Sequence, residues 1–416
     1  MSGHTDVRSP EIPVPEPDLT PEAVIGRARA LIPAIRDQQD EAEQLGHHTA
    51  ELDRQFTAAG FYRILQPRRF GGYEFDLPTF WRAMLAISEG DPGTGWGLTL
   101  GSHHALVVAA WFSEEGQREI FGPSGEFRCP HRPPPMGTAE PVKGEGEVGG
   151  GYVVTGTWDY CSGISHATHF MGNALVAGTS DRIAVMIPRE QVTVLDDWGG
   201  GATLGMNSSG SNSVRAEAVF VPARRTAPGD WTHGSDPAPG AALHGNPMYC
   251  GRIYAVYHVG LVIPVIGAAR AALEEYEQVI TTRLTLFPPQ VPRYTHPDYQ
   301  RSYGQAVALT DAAEAIVLRA GEQYMELAGR WDRTGEPFTR EDDARMFAMV
   351  QQAGQLAARA MDTIFAASGS SAAKRGTRLQ RYYRDVAKYR GHIASQDLTT
   401  AGELARVHFG LPDSLF

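Results

Sequence analysis

The sequence is poor in cysteine: Cys129, Cys161 and Cys250 are the three in 416 residues. They are scattered, odd in number and form no CxxC pair, which excludes a disulfide framework or a zinc site built on them. A reducing cytoplasmic setting is the expectation. Long apolar runs are missing too, and none approaches the ~20 residues of a membrane span. Positive charge is in deficit, with a net charge of −11, which argues against nucleic acid or an anionic membrane as partner of the whole surface. HExxH, GxSxG and P-loop patterns are absent, as are internal repeats. The opening MSGHTDVRSPEIPVPEPDLT is Pro-rich and acidic and lacks the apolar centre of a signal peptide. Residues 1–20 are expected to be a loose, disordered tail.

What is present is the composition of a globular chain, 42% apolar and 20% charged. Its length suits two or three packed subdomains. Residues 21–121 read as helical. Thr20 and Pro21 open the first helix, Gly60 ends another, and Ser113 caps a third. GTGWGLTLGSHHALVVAAWF is nearly uncharged, which predicts a helix buried on most sides. Residues 122–235 change texture to short β-type runs broken by Gly, Pro and Asp. Val214, Ala216, Ala218 and Phe220 alternate as the inward face of an antiparallel strand, and the block reads as a small barrel or sandwich. Residues 236–416 return to long amphipathic helices, which predicts a four-helix bundle. The Pro-rich CPHRPPPMG and LFPPQVPRYTHP read as lids or specificity loops.

Several short runs invite a chemical reading. GEGEVG at 144–149 matches a dinucleotide fingerprint, but it opens no helix and its two glutamates would repel a pyrophosphate, so a hairpin turn is expected. Adjacent histidines at 47–48 and 103–104 point apart on a helix, and His166 and His169 fall on opposite strand faces, so no metal site is predicted. His104 stands out because its helix is nearly uncharged; a satisfied buried histidine explains it equally. In GTWDYCSGISHA, Trp158 and Tyr160 share a strand face, and Ser162 and Gly163 let the backbone approach something flat; a plain strand end is the alternative. Ser208, Ser209 and Ser211 could hold a phosphate or a ring edge, or simply build a turn. In RYYRDVAKYRGHIASQD, a continuous helix puts Asp385, Tyr389 and His392 on one face. There His392 suits proton transfer, and a salt-bridged helix end is the alternative.

The order of blocks, with GGYE at 71–74, GTGW at 93–96, FSEEGQREIFG at 112–122, GTWDYCSG at 156–163, GMNSSGSNSV through Pro222 and RYYRDV at 381–386, resembles the acyl-CoA dehydrogenase superfamily. In particular it is similar to its oxygenating branch, the two-component flavin-dependent monooxygenases of the p-hydroxyphenylacetate hydroxylase type. The resemblance implies an α+β fold: an N-terminal helical domain, a central antiparallel β-barrel and a C-terminal four-helix bundle. It implies a cytoplasmic homotetramer that takes reduced flavin (FMNH2 or FADH2) from a separate NAD(P)H:flavin reductase and, with O2, hydroxylates a phenolic small molecule through a C4a-hydroperoxyflavin. Ser162 then sits near flavin N5. Trp96, Trp158, Tyr160 and Ser211 line or hold the ring, and Arg283 reaches a flavin across the subunit interface. His104 and Tyr389 contact substrate. Dehydrogenases of this fold carry a glutamate shortly after the RD pair, whereas here no carboxylate stands between Asp385 and Asp397, and His392 matches the hydroxylating branch. N- or S-oxygenation, such as that of an amino sugar, and a dehydrogenase with a relocated base are the alternatives.

Overall fold

The computed structural model describes residues 10–144, 149–231 and 236–411. The chain begins with helices α1 (Pro21–Asp37), α2 (Gln39–Leu45), α3 (Ala50–Ala59), α4 (Leu77–Gly90), α5 (Pro92–Trp111) and α6 (Glu114–Phe121). Their ends are where the capping residues put them. Thr20 Oγ1 accepts from Ala23 N, Ser113 Oγ accepts from Gly116 N, and Gly60 closes α3 at φ 84°. α5 is buried almost throughout, as its lack of charge demands. The expected tail is packed from residue 10 onward: Ile12 and Val14 are buried, and Glu11 ion-pairs with Arg69 and Arg118.

Strands β1 (His131–Val142), β2 (Gly151–Trp158), β3 (His169–Val176), β4 (Arg182–Pro188), β5 (Thr193–Val194), β6 (Val214–Pro222) and β7 (Thr226–Pro228) follow. They form one sheet in the order β5-β6-β2-β1-β3-β4-β7. This corrects the expected closed antiparallel barrel. The sheet is open among the described residues: its edge strands β5 and β7, two and three residues long, pair only with β6 and β4. It is also mixed, since β1 and β3 run parallel. The Pro-rich CPHRPPPMG is no lid: it is the start of β1. Its prolines fit because β2 pairs with β1 only from Gly137 on, so Pro133–Pro135 owe β2 no N–H. Of the GEGEVG run, residues 145–148 lie outside the described residues; Gly149 is followed by β2 and opens no helix.

The β6 alternation holds only halfway. Val214 and Ala216 are buried, but the pairing with β2 slips between Val154 and Gly156, and Ala218 sits at φ 51°. The bulge inverts the phase, so Val221 points inward and Phe220 is 37% exposed.

The C-terminal helical domain comprises α7 (Pro239–His244), α8 (Tyr254–Thr282), α9 (Pro297–Thr334), α10 (Arg340–Ser368), α11 (Arg378–Arg390) and α12 (Asp397–His408). α8 is long and apolar enough to cross a membrane by composition, yet 78% of its apolar window is buried here. It packs against α4 and α5 of the first helical block and against α9, α10 and α11 of its own. One apolar core therefore joins the two helical blocks, and a second fills the sheet around Val154, Trp158, Phe170 and Val185.

Candidate active site

The site is built on a stripe of glycines. Gly93, Gly97 and Gly101 recur every four residues and so share one face of α5. A Cβ at Gly97 would stand 2.7 Å from Ser209 O, and one at Gly93 would stand 2.3 Å from Ser208 Oγ. A Cβ at Gly163 would stand 2.6 Å from Gly97 O. The bare helix face thus lets two loops press onto it: the turn after β2, carrying Ser162, and the loop before β6, carrying Ser211. Gly163 N donates to Ser209 O at 2.9 Å and ties the loops together. Beside Gly101 the space is open: a Cβ there meets nothing within 4 Å, although the residue is buried.

At this junction the hydroxyls form a ladder. Trp96 Nε1–H donates to Ser162 Oγ at 3.0 Å, Ser162 and Ser211 hydroxyls lie 2.7 Å apart, and Ser211 and Ser209 lie 2.6 Å apart. An indole N–H only donates, so Ser162 Oγ accepts that bond and keeps its own proton for Ser211 or a ligand. The Trp96 ring also meets His392 edge-on, at 5.7 Å between centroids. Trp96, Ser162, Ser211 and His392 are therefore brought together from four separate segments.

His392 is not on α11. That helix ends at Arg390, and His392 sits in the following turn, with its N–H donating to Tyr389 O at 2.8 Å. The predicted shared face is corrected accordingly. Tyr389 is buried against α10, where a Cβ on Gly354 would meet its hydroxyl at 2.2 Å. Asp385 Oδ1 accepts from Met206 N at 2.6 Å and anchors the serine loop. Burial, and then the nearby Asp91 carboxylate, push Asp385 up to about 8. His392 is lowered to about 4, first by burial and then by His258, Arg132 and Lys388, so its imidazole is neutral at pH 7. Arg132 pairs with Asp159 at 2.8 Å, and Lys388 lies 5.2 Å from the Tyr160 ring and 5.5 Å from the Trp198 ring.

Other predicted residues fall elsewhere. Trp158 is fully buried in the sheet core, its indole N–H bonded to Asn173 O at 2.9 Å and its ring packed on Phe170. It backs the Ser162 turn rather than facing the junction. Tyr160, at φ 55°, is flipped outward and is 50% exposed at the rim. Arg283 ends α8 and donates to Ser371 Oγ at 2.5 Å. His258, near the other end of α8, is about 37 Å away along the axis at about 1.5 Å per residue. Arg283 therefore reaches no part of this junction within its own chain.

His104 is buried on α5, next to residues that the sequence reading missed. His103 lies 4.1 Å from it between ring centroids, Tyr257 5.3 Å and His131 5.6 Å. His131 Nε2 lies 3.1 Å from Asn173 Oδ1, and its Nδ1 lies 3.0 Å from the Tyr257 hydroxyl. The available signal was histidine inside otherwise apolar or Pro-rich runs, in CPHRP and AVYHVG. A cleft of about 670 Å3 lies apart from this junction, between Gly200–Leu204 and Arg375, Arg381 and Arg384, and shares no residue with it. His48, Asp53 and His166 bring ligand-type atoms within 4.8 Å of one another. Asp53 there also accepts from the Tyr62 hydroxyl at 2.6 Å and from the Arg128 guanidinium at 2.8 Å.

Residues 259–397 match the family model described as acyl-CoA dehydrogenase, C-terminal domain. A pigment production hydroxylase of Rhodococcus sp. (strain ATCC 21145) is 30% identical over 95% of this chain and 99% of its own length. The flavin-dependent monooxygenase oxygenase subunit HsaA of Rhodococcus jostii (strain RHA1) is 28% identical over 93% of this chain and 98% of its own. The crystal structure of 3-HSA hydroxylase from Rhodococcus sp. RHA1 superposes with a TM-score of 0.83 at 27% identity, covering 94% of this chain and 98% of that one. With this fold, the matched helical domain and relatives aligned end to end, the chain belongs to the oxygenase components of flavin-dependent monooxygenases that share the acyl-CoA dehydrogenase fold.

Proposed function

We propose that the chain hydroxylates a phenolic aromatic small molecule, with O2 and with FMNH2 or FADH2 supplied by a separate NAD(P)H-dependent flavin reductase. When bound, reduced flavin activates O2 and supplies the oxygen atom. The observation that carries this reading is the junction of Ser162, Trp96 and His392, with a neutral imidazole where a dehydrogenase needs a carboxylate base. Two nearby acids are already committed, Asp159 to Arg132 and Asp385 to Met206 N. The names of the relatives, a hydroxylase and a flavin-dependent monooxygenase among them, support the same reaction class.

The residues fit a flavin. Ser162 Oγ, fixed by the Trp96 N–H, has a second lone pair that would accept from the N5–H of a reduced flavin while its own proton goes to Ser211. Ser211 and Ser209 hold that hydroxyl in place. Gly97 and Gly163 allow a close backbone approach. Tyr160 and Trp198 form an aromatic rim, and Arg132 and Lys388 set positive charge beside it, which favours an electron-rich ring. Trp158 acts from behind, by fixing the end of β2.

His392, as a neutral imidazole, accepts a hydrogen bond from the phenolic hydroxyl and orients it, which raises electron density at the attacked carbon. His104 contacts substrate from α5. His104 is buried and His392 half-buried, which limits the access of bulk water. The C-terminal domain works as a four-helix bundle in a cytoplasmic homotetramer, where Arg283 reaches the partner subunit's flavin.

The test is turnover. With a flavin reductase, NADH, and FMN or FAD, a panel of phenols and polyketide aromatics should give O2-dependent hydroxylated product. Flavin reduction by an acyl-CoA with no hydroxylated product would overturn the reading.

A further inference from the structure

Helix α11 carries Arg378, Arg381, Arg384, Lys388 and Arg390, and each arginine faces a carboxylate. Arg378 lies 3.8 Å from Glu275, Arg381 pairs with Asp40 and Glu43, Arg384 with Glu43 at 2.7 Å, and Arg390 with Asp362. Lys388 differs. No carboxylate among the described residues pairs with it, although the residue is half-buried.

Its ammonium lies instead over two aromatic rings, 5.2 Å from the centre of Tyr160 and 5.5 Å from that of Trp198. Trp198 is pinned by its indole N–H, which donates to Asn207 O at 3.1 Å, and Tyr160 meets it edge-on. An aromatic face attracts a cation without neutralising it. Partial burial strips away some of the water that would otherwise screen the charge. Lys388 is thus held in place with its charge uncancelled.

That charge stands at the rim of the junction. Tyr160 precedes Ser162 by two residues, and Lys388 precedes His392 by four. Burial first, and then His258, Arg132 and Lys388, hold His392 below the usual histidine value, so the ammonium is felt inside the site. The other cation over Tyr160, Arg132 at 5.8 Å, is offset by Asp159 at 2.8 Å. The acids on the neighbouring segments are occupied too: Asp385 accepts from Met206 N, and Asp197 accepts from Ser213 N.

Flavin meets this cation differently in its two oxidation states. The oxidised ring is neutral at pH 7. The reduced ring loses its N1 proton near neutral pH and then shares a negative charge between N1 and the C2 carbonyl. An uncancelled ammonium in a partly dehydrated rim attracts the second form and is indifferent to the first.

We propose that Lys388 is the residue by which this site tells reduced flavin from oxidised flavin, holding the anionic ring and letting the neutral one go. This rests on the flavin reading of the junction and deepens it. Its place between Tyr160 and His392, both beside the ring site, favours the ring over the phosphate of FMN as the partner. Oxidised flavin left after turnover then gives way to the next reduced molecule.

The test is equilibrium dialysis of the full chain without O2 against FMN and against riboflavin, each oxidised and each reduced with dithionite. For the parent, the Kd of either reduced flavin should lie about tenfold or more below that of its oxidised form. Lys388→Met keeps the alkyl stem; it should loosen reduced FMN and reduced riboflavin about tenfold and leave both oxidised forms within about twofold. Lys388→Arg should restore most of the preference. A lysine with a merely structural role would weaken both oxidation states alike. Equal Kd values of the parent for the two states overturn the proposal, whether or not the variants fold. A loss in Lys388→Met confined to FMN, whatever its oxidation state, also overturns it and assigns the charge to the phosphate. Absence of any flavin binding overturns the flavin reading itself, whereas binding without a redox preference overturns the role of Lys388 alone.

Discussion

Alanine at Gly97 and at Gly101 makes the same chemical change, one turn apart on one face of α5, and the structure gives the two opposite outcomes. Each gains the same helix propensity, about 1 kcal/mol over glycine, so that contribution cancels between them. At Gly97 the new Cβ stands 2.7 Å from Ser209 O, a backbone atom that already accepts from Gly163 N. Such overpacking costs about 1–3 kcal/mol. At Gly101 the Cβ meets nothing within 4 Å. The difference in stability should therefore be about 1–3 kcal/mol in favour of Gly101→Ala, read as the separation of their urea midpoints. Function should divide the other way round. Gly101→Ala should keep or raise stability and weaken phenol binding, because its methyl enters the open space. Gly97→Ala should release more hydrogen peroxide per O2, because it displaces the Ser209–Ser211–Ser162 ladder. Equal midpoints for the two variants would refute the close approach on which the site is built.

Ser162→Ala strands the buried Trp96 N–H at a cost of about 1–3 kcal/mol; adding Trp96→Phe should recover part of it, and strict additivity in that double-mutant cycle would deny the bond. His392→Ala should keep flavin binding but lose coupling, seen as hydrogen peroxide in place of product. Because His392 titrates at about 4 in the fold, coupling in the parent should stay flat from pH 8 to 5; an acid limb near the ordinary histidine value would contradict its burial. Asp385 is raised to about 8, so between pH 4 and 8 the folded state holds a proton that the unfolded state releases, and its contribution to stability declines as pH rises through that window. Asp385→Asn should therefore gain on the parent steadily from pH 4 to 8, and parallel pH profiles in denaturation would count against a protonated Asp385.

Local signals were legible in the sequence where one residue decides the structure. Thr20, Ser113 and Gly60 mark helix ends because capping is a contact within a few residues. α5 was legible as a buried helix from its missing charge. β1 was not, because three prolines mask a strand that needs hydrogen bonds on one side only over that stretch. The inward face of β6 was read correctly up to Ala216 and inverted afterwards, since a bulge leaves no local mark beyond Ala218 at positive φ. Ser162, Trp96, Ser211 and His392 were named from family resemblance and lie together. Trp158, named through the same resemblance, packs in the sheet core behind them. The histidine cluster was not legible in the sequence: His103, His131, Tyr257 and His258 come from three elements, and the Asn173 amide that faces His131 is 42 residues away in the chain.

The central claim is that this junction directs an oxygen atom from O2 onto a phenol. The direct measurement is mass spectrometry of the product formed under isotopically heavy O2 with externally reduced flavin. One heavy oxygen per product molecule from the parent chain, and none above background from His392→Ala with the O2 recovered as heavy hydrogen peroxide, is the predicted result. A product hydroxyl carrying oxygen from water, or identical incorporation by parent and variant, would contradict it.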